Sequence, residues 1–278
     1  MIRRAVGWLG QSMITLGVLI LLFVAYQLWG TNLAEARAQD GLRQEFRVIP
    51  GEKLDPSKVL PPAPEGEAVG VIKIPRIGIE KIVVEGVGVE DLKKAPGHYP
   101  GTPLPGQPGN SAIAGHRTTY GAPFNQLDKM ETGDPIIVST KQGTFEYNVT
   151  EVKIVSPRQV EVLDSTEDNR LTLTTCHPRY SASQRLIVVA ALKGEAAAPS
   201  PPRPRRIAVQ LDEGLSGDPS ARLPALLWGL AAGAVWLAAY LLGRRWRKWP
   251  AYAIGVVPFA VLLFIFFENF ARLLPANY

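Results

Sequence analysis

Three residues in this chain have the types and positions that nucleophilic chemistry requires. Cys176 is the only cysteine among 278 residues. It ends the run Leu171-Thr172-Leu173-Thr174-Thr175-Cys176, which is β-branched and apolar and reads as a strand. Side chains alternate along a strand, so Leu171, Leu173 and Thr175 share one face, and Thr172, Thr174 and Cys176 the other. Pro178 cannot donate to a sheet ladder, so the strand gives way to a loop just past Cys176. A thiol at that edge is expected to be exposed enough to react. The attacking species is the thiolate, and a nearby histidine supplies the activation. Of His98, His116 and His177, the sequence favours His116, which ends a second strand (Ser111 to Gly115) much as Cys176 ends its own. His177 points away from Cys176 if the strand continues, and His98 sits in a loop bounded by Pro and Gly. The oxyanion left by thiolate attack needs a cation or hydrogen-bond donors. Arg185, nine positions after Cys176, opens the last strand. If the two strands are neighbours, their spacing of about 4.8 Å brings both ends together. Arg117 and Arg179 are the competing cations.

The elements that must position these groups lie between about Ala68 and Lys193. Strands are expected over Val69 to Ile74, Ile77 to Val84, Ser111 to Gly115, Pro135 to Thr140, Thr144 to Asn148, Glu151 to Val155, Leu171 to Cys176 and Leu186 to Leu192. Gly and Pro punctuate them, and Lys141-Gln142-Gly143 suits a hairpin turn. Short helices are expected over Val89 to Lys94 and Phe124 to Met130. Eight short strands in about 125 residues predict an all-β closed barrel or sandwich.

Apolar segments flank this region. Ala5 to Trp29 and Leu223 to Leu242 are each long enough to cross a bilayer core, and Pro250 to Phe267 is a shorter third candidate containing Pro258. The expected organisation is an N-terminal anchor over 1–30, a stalk and Pro-rich linker over 31–67, and the barrel over 68–193. A second Pro-rich linker over 194–222 leads to spans over 223–243 and 249–270, separated by a basic loop over 244–248. Arg3 and Arg4 precede the first span, and Arg244, Arg245, Arg247 and Lys248 separate the other two. Positive flanks stay in the cytoplasm, which places residues 30 to 222 outside. These six basic residues account for the net charge of +5 and leave about −1 for the rest, so the charge calls for no nucleic acid. Ala36-Arg37-Ala38 resembles a signal-peptide cleavage site but lies far from the apolar run, so an uncleaved anchor is expected. A lone thiol in an exported domain has no internal disulfide partner, which suggests a use for it. Cys176, His116 and His177 are too few, with no coherent spacing, for a zinc site. No cofactor is expected.

These residues carry a resemblance. Thr172-Leu173-Thr174-Thr175-Cys176 matches the Thr-Leu-x-Thr-Cys motif of sortases, the membrane-anchored cysteine transpeptidases of Gram-positive bacteria. Ala114-Gly115-His116-Arg117 matches their Gly-His segment, and Arg185 their arginine on the following strand. Gly115 to Phe124 (Gly-His-Arg-Thr-Thr-Tyr-Gly-Ala-Pro-Phe) and Thr175-Cys176-His177-Pro178 look most like the class E sortases of actinobacteria. The resemblance implies an eight-stranded sortase-type barrel and a secreted substrate bearing a Leu-(Pro/Ala)-x-Thr-Gly signal. It implies attack by Cys176 at the threonine carbonyl, His116 as general acid and base, and Arg185 on the substrate or oxyanion. A cell-wall precursor amine of the lipid II kind would be the acceptor. Thr175 and Tyr120 are candidates for the substrate groove. Many family members have only the N-terminal span, whereas this chain carries two more apolar segments. Pilus-polymerising sortases often have a C-terminal span, and some have an Asp-Pro-aromatic lid, but Asp55-Pro56-Ser57 here lacks the aromatic. The alternatives are such a pilus-type enzyme, a cysteine endopeptidase that only hydrolyses, and a tethered domain with a redox-active thiol.

Overall fold

A computed structural model describes residues 2–46, 54–201, 218–245 and 248–274. Eight strands form one closed barrel: β1 (Ala68–Ile74), β2 (Ile79–Glu85), β3 (Gly97–His98), β4 (Asn110–Ala114), β5 (Pro135–Thr140), β6 (Thr144–Val155), β7 (Arg170–His177) and β8 (Gln184–Lys193). Their order around the barrel is β1-β2-β3-β4-β7-β8-β6-β5, with β5 returning to β1. The pairs β2/β3 and β4/β7 are parallel and the others antiparallel.

Alternation decides which side chains fill the interior. In β5, Ile136 and Val138 point inward; in the first half of β6, Phe145, Tyr147 and Val149 do. Leu171 and Leu173 of β7 and Leu186, Val188 and Ala190 of β8 join them in one core with Ile72, Val83 and Ile113. The Tyr147 hydroxyl is not left unpaired there: it accepts from Gly106 N at 2.6 Å. Strands β4 and β7 are buried on both faces, as expected of parallel neighbours in the middle of a sheet.

The expected total of eight strands holds, but two members differ. Thr144–Val155 is one strand, not two, because a bulge between Val149 and Glu151 shifts its register against β8 and breaks the alternation. The missing strand is β3, only two residues long, within the stretch expected as a loop. Its His98 is buried, with ring nitrogens 2.8 Å from Glu85 Oε2 and 2.9 Å from the Pro103 carbonyl.

The described helices are α1 (Ile2–Ala25), α2 (Thr31–Glu45), α3 (Val89–Leu92), α4 (Arg222–Arg245) and α5 (Lys248–Leu273). The chain divides into two compact units, one of residues 28–214 and the other of 1–27 with 215–276. In the first, the segment expected as a stalk forms α2 and packs on β2 through Gln39, which accepts from Ile82 N at 2.8 Å. In the second lie the apolar helices, and three helical stretches are long and apolar enough to cross a membrane. Tyr26 and Phe23 pack on Phe264, Phe267 and Phe270 there. Gly229 lets α4 approach the Phe266 ring of α5, whereas Gly233 faces open space. Much of the second Pro-rich linker, with Arg203, Arg205 and Arg206, lies outside the described residues, as do Trp246 and Arg247.

Leu173 is fully buried in the barrel core. Leu173→Ala is expected to cost about 3 kcal/mol of barrel stability, measured by thermal unfolding followed in the near-ultraviolet circular dichroism. A loss under about 1 kcal/mol would contradict its core placement.

Candidate active site

Strand pairing sets the site. The parallel register of β4 on β7 runs from Asn110↔Arg170 to Ala114↔Thr174. It is carried one residue further by Gly115 N donating to the Thr174 carbonyl at 3.1 Å and Thr175 Oγ1 donating to the Gly115 carbonyl at 2.7 Å. His116 is the next residue, so it leaves β4 beside the end of β7, where Cys176 stands. On the other side of β7, the antiparallel register pairs Cys176 directly with Arg185 of β8. Residues directly opposite on antiparallel strands put their side chains on the same face, with Cβ atoms about 4.5–5.5 Å apart. Cysteine, histidine and arginine are therefore gathered across three adjacent strands.

That face is the outer one. Leu171 and Leu173 fill the barrel, so Thr172, Thr174 and Cys176 point away from it. They are nonetheless covered, Thr172 and Thr174 being 0% and 5% exposed. Thr172 Oγ1 donates to Asn110 Oδ1 at 2.7 Å, the Tyr99 phenol lies near Thr174, and Val87, Leu92, Ala114 and Tyr99 form a small apolar cluster around α3. Cys176 is only 7% exposed, which corrects the expectation of an open thiol. The strand end is an edge in sequence, but Tyr99, between β3 and β4, lies near Thr174 and Cys176, and Arg117, just after His116, donates to the Cys176 carbonyl.

Burial governs the protonation of the pair. Desolvation pushes the Cys176 thiol up, with Arg185 and then Arg117 opposing it. Desolvation also pulls the His116 imidazole down to about 4, helped by the Lys93 ammonium. Both shifts favour the neutral forms, thiol and imidazole, over the ion pair.

Arg117 is the cation the sequence left as a competitor, and it is 4% exposed. Its Nη1 donates to the Cys176 carbonyl at 3.1 Å and lies 3.2 Å from His177 Nδ1. Its Nη2 pairs with Asp128 at 3.1 Å, and Arg179 reaches the same carboxylate at 3.3 Å. Arg117 thus grips the backbone at the cysteine. Arg185, half-buried, spends Nη1 on the Ala182 and Gln184 carbonyls of its own loop at 3.0 and 3.1 Å. Tyr120 tilts its ring against His116, with centroids 5.2 Å apart and planes 34° apart. Thr175 is 2% exposed and points to the barrel side, its hydroxyl committed to Gly115, so it ties β7 to β4 instead of lining the outer face. Tyr99, Lys93 and Asp128 were not singled out in the sequence. They come from turns and short helical segments 48 to 83 positions before Cys176, and no local spacing points to them. Among the described residues, no group of three or more His, Cys, Asp or Glu is placed to hold a metal ion.

A cysteine and a histidine at the ends of adjacent strands, with an arginine on the third, are groups of the kinds that thiol-dependent acyl transfer requires. Residues 72–193 match the family model described as the Sortase domain. Sortase SrtE2 of Streptomyces coelicolor is 32% identical over 208 residues, which cover 66% of this chain and 81% of that protein. Sortase SrtE1 of the same organism is 34% identical over 197 residues, and the match spans 65% of this chain and about half (55%) of that relative. In three dimensions the chain is similar to the Sortase D5 transpeptidase of Clostridium perfringens, with a TM-score of 0.50 and 30% identity, covering 58% of this chain and 99% of that one. The chain belongs to the sortase family, and its sequence is similar to the class E members.

Two outcomes follow from the electrostatics. Alkylation of Cys176 by iodoacetamide should shift to higher pH in Arg185→Ala and, by less, in Arg117→Ala, because each removes a cation that favours the thiolate. Superimposable pH profiles would contradict the site's charge balance. His116, pulled from an ordinary 6.5 to about 4, binds its proton more readily in the unfolded chain. The stability it contributes is complete above pH 6.5 and is lost as pH falls toward 4, by about 3 kcal/mol. Unfolding midpoints should fall over that window in the natural chain and fall less in His116→Gln.

Proposed function

We propose that Cys176 is the nucleophile, His116 the general acid and base, and Arg185 the oxyanion or substrate clamp of a transpeptidation. The observation that carries this reading is the register: His116 follows a strand paired in parallel to β7, and Arg185 is the cross-strand partner of Cys176. The substrate is a secreted protein bearing a Leu-(Pro/Ala)-x-Thr-Gly signal. The neutral couple suits a concerted start. His116 takes the thiol proton as sulfur bonds to the threonine carbonyl carbon, and Arg185 faces the resulting oxyanion. The carbon–nitrogen bond to glycine then breaks, and the imidazolium returns the proton to the departing amine. A thioester on Cys176 remains. An amine of a cell-wall precursor, deprotonated by His116, attacks that thioester, and the sulfur leaves and recovers its proton. The basic flanks of the apolar helices support a barrel facing the outside of the cell membrane. Thr175 is assigned to strand pairing and Tyr120 to the wall of the groove beside His116.

In a sorting-peptide assay on the full chain, Cys176→Ala and His116→Ala should each lower turnover at least about 10³-fold. Arg185→Ala should lower it by about 10²-fold. Adding an amine acceptor should convert the hydrolysed product into a ligated one. Hydrolysis that no amine diverts would favour an endopeptidase, ligation of substrate to substrate would favour a pilus-type enzyme, and cleavage by Cys176→Ala would end the nucleophile assignment.

A further inference from the structure

The helix α2 buries a face that is mostly polar. Thr31, Glu35, Gln39 and Leu42 recur at the helical repeat and are 0%, 2%, 2% and 7% exposed. Burying polar groups is costly unless each finds a partner, so such a face is specific where an apolar one would be permissive. Gln39 receives Ile82 N and donates to the Ile82 and Lys94 carbonyls, and Glu35 accepts from Lys81 Nζ at 2.7 and 2.9 Å. These bonds fix the helix to β2.

The first turn of α2 does something else. Thr31 Oγ1 accepts from the backbone N–H of Tyr120 at 3.1 Å, and Asn32 Oδ1 accepts from that of Gly121 at 2.9 Å. The loop they hold is strained: Tyr120, Gly121 and Ala122 are consecutive left-handed residues with φ of 49°, 73° and 42°. Tyrosine and alanine adopt that region at a cost of about 1–2 kcal/mol each, and it persists only where surroundings over-determine it. The trailing end of the loop is tied back by Phe124 N to the His116 carbonyl and by Asn125 Nδ2 to the Arg117 carbonyl. Its apex is tied to α2. A Cβ at residue 121 would also collide with the Glu35 carboxylate, so the helix and the glycine fit each other closely. The side chain carried at that apex is Tyr120, whose ring lies against His116.

We propose that Thr31 and Asn32 are positioning residues: they hold the Tyr120–Ala122 turn in its left-handed form and so keep the Tyr120 ring against the His116 imidazole. The helix ahead of the barrel is then part of the reacting unit. When these two acceptors are lost, the turn relaxes, the wall of the site over His116 opens and turnover falls while the barrel stays folded. This inference rests on His116 serving the reaction, and its test separates the two readings.

The experiment uses the full chain in detergent. Thr31→Val with Asn32→Leu removes both acceptors and keeps the bulk; Thr31→Ser with Asn32→Asp restores an oxygen at each position. Arg37→Ala, on the exposed side of α2, is the control. The first pair is expected to raise the hydrogen-exchange rates of the Tyr120 and Gly121 amides at least about 10-fold. It should lower kcat on a sorting peptide about 10- to 100-fold, with a melting temperature near that of the unaltered chain. The Ser/Asp pair should recover most of both. Unchanged exchange at the two amides overturns the proposal. So does faster exchange with unchanged kcat, or a kcat lost only in proportion to unfolded protein. If the exchange rates behave as expected but His116→Ala is itself active, the catalytic reading fails and the positioning of the turn stands.

Discussion

The parallel pairing of β4 with β7 is the constraint on which the site depends. It delivers His116 to the same rim as Cys176, and it does so through two bonds beyond the strand, one donated by the Gly115 amide and one accepted by the Gly115 carbonyl. The second of these uses the Thr175 hydroxyl, so the residue before the cysteine acts as a strut between strands. Gly115 also makes room for the Phe124 ring, from which a Cβ there would sit 2.6 Å. Since β4 and β7 are 60 positions apart in register, the chain must close a long loop before the site exists.

Electrostatics then act on a buried pair, not an exposed one. The walls over Cys176 and His116 raise the cost of charge on either, and two guanidinium groups partly offset it at the sulfur. The two arginines differ in kind. Arg185 lies half-buried and cross-strand from the thiol, in a position to meet a bound group. Arg117 is sealed between Asp128, His177 and the Cys176 carbonyl, where it holds geometry. Replacing either by lysine would keep the charge and lose the planar fork.

The central elements were legible in the sequence because they are local. The run from Leu171 to Cys176 announces its strand by β-branching and its two faces by alternation, and Arg185 follows within one short turn. The order Gly115-His116 and the Thr-Leu-x-Thr-Cys run carried the family resemblance. The failures have physical causes. The bulge at Val149/Glu151 disguised one strand as two, since an extra residue resets the alternation. Two-residue β3 is too short to have a period. The expected exposure of Cys176 differs from its 7% because strand-end position says nothing about what distant parts of the chain pack on the strand's outer face. The packing of α2 was hidden in the same way: its buried stripe of Thr31, Glu35 and Gln39 is polar, and hydropathy patterns register apolar faces only.

The most direct measurement of the central claim is intact-mass and peptide mapping of the full chain quenched during turnover of a sorting peptide. An adduct equal to the acyl part ending at threonine is expected on the peptide containing Cys176, cleaved by hydroxylamine and discharged by an added amine. Turnover with no adduct at Cys176, or an adduct on another side chain, would contradict it.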